Sequence, residues 1–77
     1  MKIKVRYFGQ LQEVTGKSEE YFEVTLDTTA SLRRFLNTQY PELENMNFTI
    51  AQDNKITIDS SPLLGQQIDL LPPFSGG

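Results

Sequence analysis

Apolar and polar residues alternate from Lys2 to Phe8: Ile3, Val5 and Tyr7 share one face, and Lys2, Lys4, Arg6 and Phe8 the other. A period of two over that length predicts a half-buried strand. Gly9 and Gly16 bracket a connection, Gln10 to Thr15, too long for a tight hairpin and long enough for one helical turn. Alternation resumes over 20–26, with Phe22, Val24 and Leu26 inward and Tyr21, Glu23 and Thr25 outward, so the two strands are expected to pair antiparallel. The period then changes. Thr28 or Thr29 supplies an N-cap, and Leu32, Phe35, Leu36 and Tyr40 recur at helical spacing. Arg33, Arg34, Asn37 and Thr38 fall away from that stripe. Pro41 ends the helix, because the residue before a proline is pushed out of helical geometry.

A polar stretch from Glu42 to Asn47 leads to Phe48 and Ile50, then Ile56 and Ile58 across Asp53-Asn54, which is the pattern of a short hairpin. Pro62 and Gly65 punctuate the return to a final strand, Ile68-Asp69-Leu70-Leu71. Pro72-Pro73 terminates it, since proline has no N–H for a sheet ladder. The order strand, strand, helix, short strands predicts one α+β domain over residues 1–77, with a sheet whose apolar face is covered by one helix. Residues 72–77 are expected to form a flexible tail.

Parity along the strands marks two apolar residues as out of place. If Ile68 and Leu70 point to the core, Leu71 points away beside Asp69, just as Phe8 shares its face with Lys2, Lys4 and Arg6. Should the first and last strands be neighbours, Phe8 and Leu71 would make a small apolar patch on the open face of the sheet, the kind of cluster that often serves interaction. The plain alternative is that single exposed apolar residues are common, or that Phe8 turns inward where its strand ends.

Composition narrows the chemistry. Seventy-seven residues lie near the lower limit for one hydrophobic core. There is neither Cys nor His, so no disulfide, thiolate metal site or imidazole base is available, and no metal is expected. The net charge of -3 leaves no basic excess for phosphates, which argues against nucleic acid as a partner. Lys2, Lys4 and Arg6 are expected to face the acidic run Glu13, Glu19, Glu20, Glu23 and Asp27 across the hairpin. The opening Met1-Lys2-Ile3-Lys4-Val5-Arg6 is no signal peptide and nothing approaches membrane-spanning length, so a cytosolic protein with no membrane partner is expected.

What remains is the ending, Leu71-Pro72-Pro73-Phe74-Ser75-Gly76-Gly77. Two glycines close a chain by chance in only about 0.5% of cases. A carboxylate on Gly77 would be an acyl group with minimal steric hindrance, and the diproline projects it away from the sheet. From Pro73 to Gly77 an extended chain reaches about 15–17 Å, enough to enter another protein's active site. A frayed terminus or a cloning boundary would look similar.

The whole chain resembles the small subunit of molybdopterin synthase, a sulfur carrier of the ubiquitin-like β-grasp type. The most specific likeness is the ending, similar to the family's apolar-Pro-Pro-Val-Ser/Thr-Gly-Gly. Tyr7-Phe8-Gly9 with Glu13 and Gly16, Thr29 through Leu32, Tyr40-Pro41-Glu42-Leu43, and Pro62-Leu63 with Gly65 support it. Departures are Phe74 for the usual Val, Gln66-Gln67 for Asp-Glu, Gln52-Asp53 for Val-Asn, and Gln12 where Arg is common.

The resemblance implies a mixed sheet of four to five strands packed on one main helix. It also implies that this chain is a non-catalytic subunit with no stably bound cofactor. An E1-like adenylating enzyme would use ATP and Mg to activate Gly77, and a persulfide donor would convert the adenylate to a thiocarboxylate. Pro72, Pro73, Phe74, Ser75 and Gly76 would insert with Gly77 into the large synthase subunit, within a heterotetramer. Sulfur would pass there to cyclic pyranopterin monophosphate, and Phe8, Ile56 and Leu71 would form the docking interface. Other readings are a sulfur carrier for thiamine or tRNA thiolation, a ubiquitin-like protein modifier joined to lysine, or a β-grasp interaction module.

Overall fold

The computed structural model describes residues 1–64 and 67–73; Gly65, Gln66, Phe74, Ser75, Gly76 and Gly77 lie outside the described residues. The chain runs β1 (Lys2–Tyr7), α1 (Gln10–Thr15), β2 (Glu19–Glu23), α2 (Thr29–Gln39), a 3-10 helix (Pro41–Asn45), β3 (Thr49–Gln52), β4 (Lys55–Ile56) and β5 (Gln67–Leu71). The five strands form one mixed sheet in the order β2-β1-β5-β3-β4. β1 and β5 are parallel neighbours, and every other pairing is antiparallel. This is the α+β, β-grasp arrangement expected.

The apolar stripes meet where the periods place them. Ile3, Val5 and Tyr7 from β1, Ile68 and Leu70 from β5, and Ile50 from β3 pack under Leu32 and Leu36 of α2, all essentially closed to solvent. Phe22 and Phe35 meet edge to face, with ring centroids 5.1 Å apart. Thr28 is the N-cap: its side chain accepts a hydrogen bond from the Ser31 amide at 3.2 Å. Helix α2 ends at Gln39, before Tyr40 and Pro41, as the proline requires.

Several local expectations are corrected. β2 ends at Glu23, three residues short of the alternating run, although Val24 is still buried and its amide donates to the Met1 carbonyl. The stretch after α2 is a 3-10 helix rather than featureless chain: Pro41 opens it, and it exists to bury Leu43. Ile58 lies outside β4 and is 69% exposed. The strand stops early because the chain turns back at once: the Ser61 amide donates to the Ile58 carbonyl, and Ser61 Oγ accepts from the Ile58 amide. The hairpin itself forms, with Asp53 and Asn54 at φ 49° and 70°, the left-handed pair of a tight two-residue turn.

The charges on β1 also divide differently from the simple hairpin picture. Lys4 pairs with Glu19 across β2 at 3.4 Å, but Arg6 turns to Asp69 on β5. Arg33 is half-buried. Its guanidinium lies over the Phe48 ring, 4.5 Å from centroid, and donates to the Phe48 carbonyl at 3.1 Å. Gln52, buried on the core side of β3, donates to the Pro62 carbonyl and accepts from the Leu64 amide, holding the segment before β5 against the sheet. No helix among the described residues is long and apolar enough to cross a membrane.

Because Leu36 is fully buried with little room to collapse, Leu36→Ala is expected to cost about 2–5 kcal/mol in urea unfolding. Thr28→Ala loses only the cap, about 1 kcal/mol.

Candidate functional site

The face of the sheet opposite α2 carries the candidate site, and strand register defines it. Arg6 faces Asp69, Asp69 faces Ala51, and Ala51 faces Ile56, so these four cross the sheet in one row on the open side. The next row is Leu71, opposite Thr49, with Phe8 just beyond the end of β1. Phe8, Leu71 and Ile56 therefore lie on one face. Ile56 is 65% exposed at the sheet edge, whereas Phe8 and Leu71 are half-buried. The expectation that these two stand open to solvent is thus corrected by degree.

What shields Phe8 is Arg6. The guanidinium carbon lies 5.2 Å from the Phe8 ring centroid, while Nε and Nη2 grip the two Asp69 oxygens at 2.8 and 3.0 Å. A bidentate fork of this kind fixes the plane of the guanidinium as well as its position. Only 11% of the Asp69 side chain is exposed, so the pair is a half-sunk charge cluster between apolar neighbours. Sequence reading missed the pair because it needs β1 beside β5. The available signal was Asp69 itself, a carboxylate set between two core residues and thus pointing to the face of Arg6.

The tail leaves from the same corner. Pro72 is half-buried and Pro73 exposed. The tail residues Phe74, Ser75, Gly76 and Gly77, expected to enter a partner, lie outside the described residues. Among the described residues, no group of three or more acidic side chains is arranged to hold a metal ion.

A second polar cluster closes the other side of β1. Glu20 Oε1 accepts from Tyr7 Oη at 2.9 Å and from Tyr40 Oη at 2.7 Å, and Oε2 accepts from Lys17 Nζ at 2.8 Å. Lys17 also donates to Tyr40 Oη at 3.2 Å, and the two tyrosine rings meet edge to face at 6.1 Å. Burial resists ionisation of Glu20, yet the bonds from Lys17, Tyr40 and Tyr7 outweigh it and hold the carboxyl below its ordinary range. Burial, reinforced by the bond to Glu20, pushes the Tyr7 hydroxyl far above its own. The cluster is structural: it ties β1, β2 and the end of α2 together.

The sequence matches the model of the ThiS family over residues 5–77. The chain belongs to the ThiS family. Solved structures of similar fold are found as well. A Pyrococcus furiosus protein assigned as molybdopterin converting factor subunit 1 superposes with a TM-score of 0.85 at 18% identity, covering 95% of this chain and 98% of its own. Small archaeal modifier protein 1 from Haloferax volcanii gives a TM-score of 0.82 at 20% identity over the full length of both chains. A chain in the complex of subunits 1 and 2 of molybdopterin-converting factor from Helicobacter pylori gives 0.67 at 25% identity, again over all of both chains. No curated protein matches the sequence significantly. For this ThiS-family chain the likenesses at 18% and 20% identity speak to fold alone.

Since the folded-state pKa of Glu20 is depressed, its network stabilises the fold above the ordinary carboxylate pKa and the contribution is lost as pH falls through the lower, folded value. Glu20→Gln should lower stability at pH 7 and flatten the loss of stability below about pH 4.3, measured by urea unfolding across that range.

Proposed function

We propose that this ThiS-family chain is the sulfur-carrier subunit of molybdopterin synthase, a cytoplasmic protein acting through Gly77. The observation that carries the reading is where the tail is rooted. Pro72-Pro73 leaves the sheet beside Phe8 and Leu71, so a body docked through that face would direct the diglycine into its partner. Ile56 extends the apolar surface along the same face. The family match, which runs through Gly77, and the likeness to the Helicobacter pylori subunit complex support the assignment and a large-subunit partner.

The chemistry asked of Gly77 is acyl activation. A carboxylate is a poor acyl donor because its leaving group would be oxide. An E1-like enzyme, with ATP and Mg, joins a Gly77 oxygen to the α-phosphorus and expels pyrophosphate. The outer sulfur of a persulfide then attacks the carbonyl, and AMP leaves with the electron pair. A second thiol cleaves the resulting acyl disulfide, is itself oxidised to a disulfide, and frees the thiocarboxylate. Its sulfur, anionic at neutral pH, is the nucleophile delivered to cyclic pyranopterin monophosphate. Water hydrolyses the acyl–sulfur bond and returns Gly77 as carboxylate. No side chain of this protein takes part in these steps, which fits a chain with no Cys and no His.

Removal of Gly77 should leave thermal unfolding unchanged and abolish molybdopterin formation in vitro; undiminished product from the truncated chain would sink the carrier reading. Intact-mass analysis after incubation with an activating enzyme and persulfide donor should show one oxygen exchanged for sulfur. A covalent adduct with target lysines as the main product would favour a protein modifier instead. Phe8→Ala, Leu71→Ala and Ile56→Ala should each weaken large-subunit binding by about 1–3 kcal/mol in titration calorimetry, a larger effect than on stability.

A further inference from the structure

The first and last strands end together, and the residues that follow them touch. The Phe8 amide donates to the Leu70 carbonyl at 3.2 Å, which closes the parallel ladder. Gly9 comes next after β1, and Pro72 directly follows β5. Gly9 stands at φ 57° and ψ -131°, a turn conformation that favours glycine. Space around it is as restrictive as its angles. A β-carbon placed on Gly9 would meet Pro72 Cγ at 3.0 Å, Cβ at 3.6 Å and Cδ at 3.8 Å. The pyrrolidine ring thus takes up the space that a side chain at residue 9 would need. Gly9 is pinned from its other side: the Gln12 amide donates to its carbonyl at 3.0 Å, the Leu11 amide to Phe8 O at 3.1 Å, and Gln12 Nε2 to Tyr7 O at 3.0 Å.

We propose that Gly9 is a positioning residue for the C-terminal segment: its missing side chain lets the Pro72 ring seat on its backbone, and that seat sets the direction in which the chain leaves the sheet past Pro73. The seat needs both partners. Proline has φ locked near -65°, so once its ring is held little freedom is left at the root of the tail. A root held in advance loses less entropy when the tail enters an active site. The functional consequence rests on the carrier reading, because a fixed exit matters only if Gly77 must reach a reaction centre. The seat itself does not.

The chain has no cysteine, so Ser75→Cys gives a single site for a nitroxide label. Paramagnetic broadening of the body amides then reports the exit direction in the labelled protein. Gly9→Ala and Pro72→Ala should each redistribute that broadening, and the double variant should look like Pro72→Ala alone, because without Cγ the added methyl meets only the β-carbon of residue 72, at 3.6 Å, an ordinary contact. Pro72→Ala keeps the test decisive if strain at Gly9→Ala unfolds the chain. Broadening unchanged from the labelled parent in the folded single variants would overturn the proposal, as would effects that simply add.

In unlabelled protein carrying a thiocarboxylate, Gly9→Ala should lower the rate of sulfur transfer at saturating large subunit by about 10- to 100-fold, with KM for the carrier unchanged. A rise in KM with an unaltered rate would instead place Gly9 in docking and overturn the assignment. If the parent chain transfers no sulfur at all, the carrier reading fails while the broadening still decides the seat.

Discussion

The parallel pairing of β1 with β5 is the constraint on which the rest depends. It joins residues some sixty positions apart, Lys4 with Gln67 through Tyr7 with Leu70. Non-local ladders of this kind repay their loop-closure entropy only when the strands are buried on at least one face. Here Ile3, Val5, Ile68 and Leu70 provide that burial under α2, in a chain with no cysteine to form a disulfide. The candidate site hangs on the ladder: it sets Arg6 against Asp69, Phe8 beside Leu71, and Gly9 under Pro72.

The Arg6–Asp69 fork gives the open face an unusual character for a docking surface. Charges buried by a partner are costly when they must give up water unpaired. Asp69 has already given up most of its water, and both its oxygens are met by one guanidinium. The same guanidinium covers Phe8, so the aromatic ring is held in place before any partner arrives. Preordered side chains lose less entropy in an interface. Apolar contact from Phe8, Leu71 and Ile56 and a prepaired charge in their midst can thus coexist on one small face.

On the opposite side of β1, the Glu20 cluster plays the complementary part. One carboxylate serves two tyrosines and a lysine, and so satisfies the polar tips that Tyr7 and Tyr40 bring to the edge of the core. Tyr7 buries its ring inward while Arg6 and Phe8 project outward, which keeps the core and the open face distinct along a single strand. The alternation that makes a strand also makes this division.

Much of this was legible in the chain itself. The period-two runs of β1 and β5, the helical stripe of Leu32, Phe35 and Leu36, the Thr28 cap and the Asp53-Asn54 turn are local signals, because backbone period and capping chemistry act over a few residues. Parity along β1 and β5 was enough to put Phe8 and Leu71 on the open face. What a linear reading could not contain is adjacency. That Arg6 leaves the acidic hairpin for Asp69, that Glu20 gathers Tyr7, Lys17 and Tyr40, and that a glycine ending one strand receives a proline ending another are facts of strand order. They follow only when hydrophobic burial, which has no direction of its own, settles which strands lie side by side.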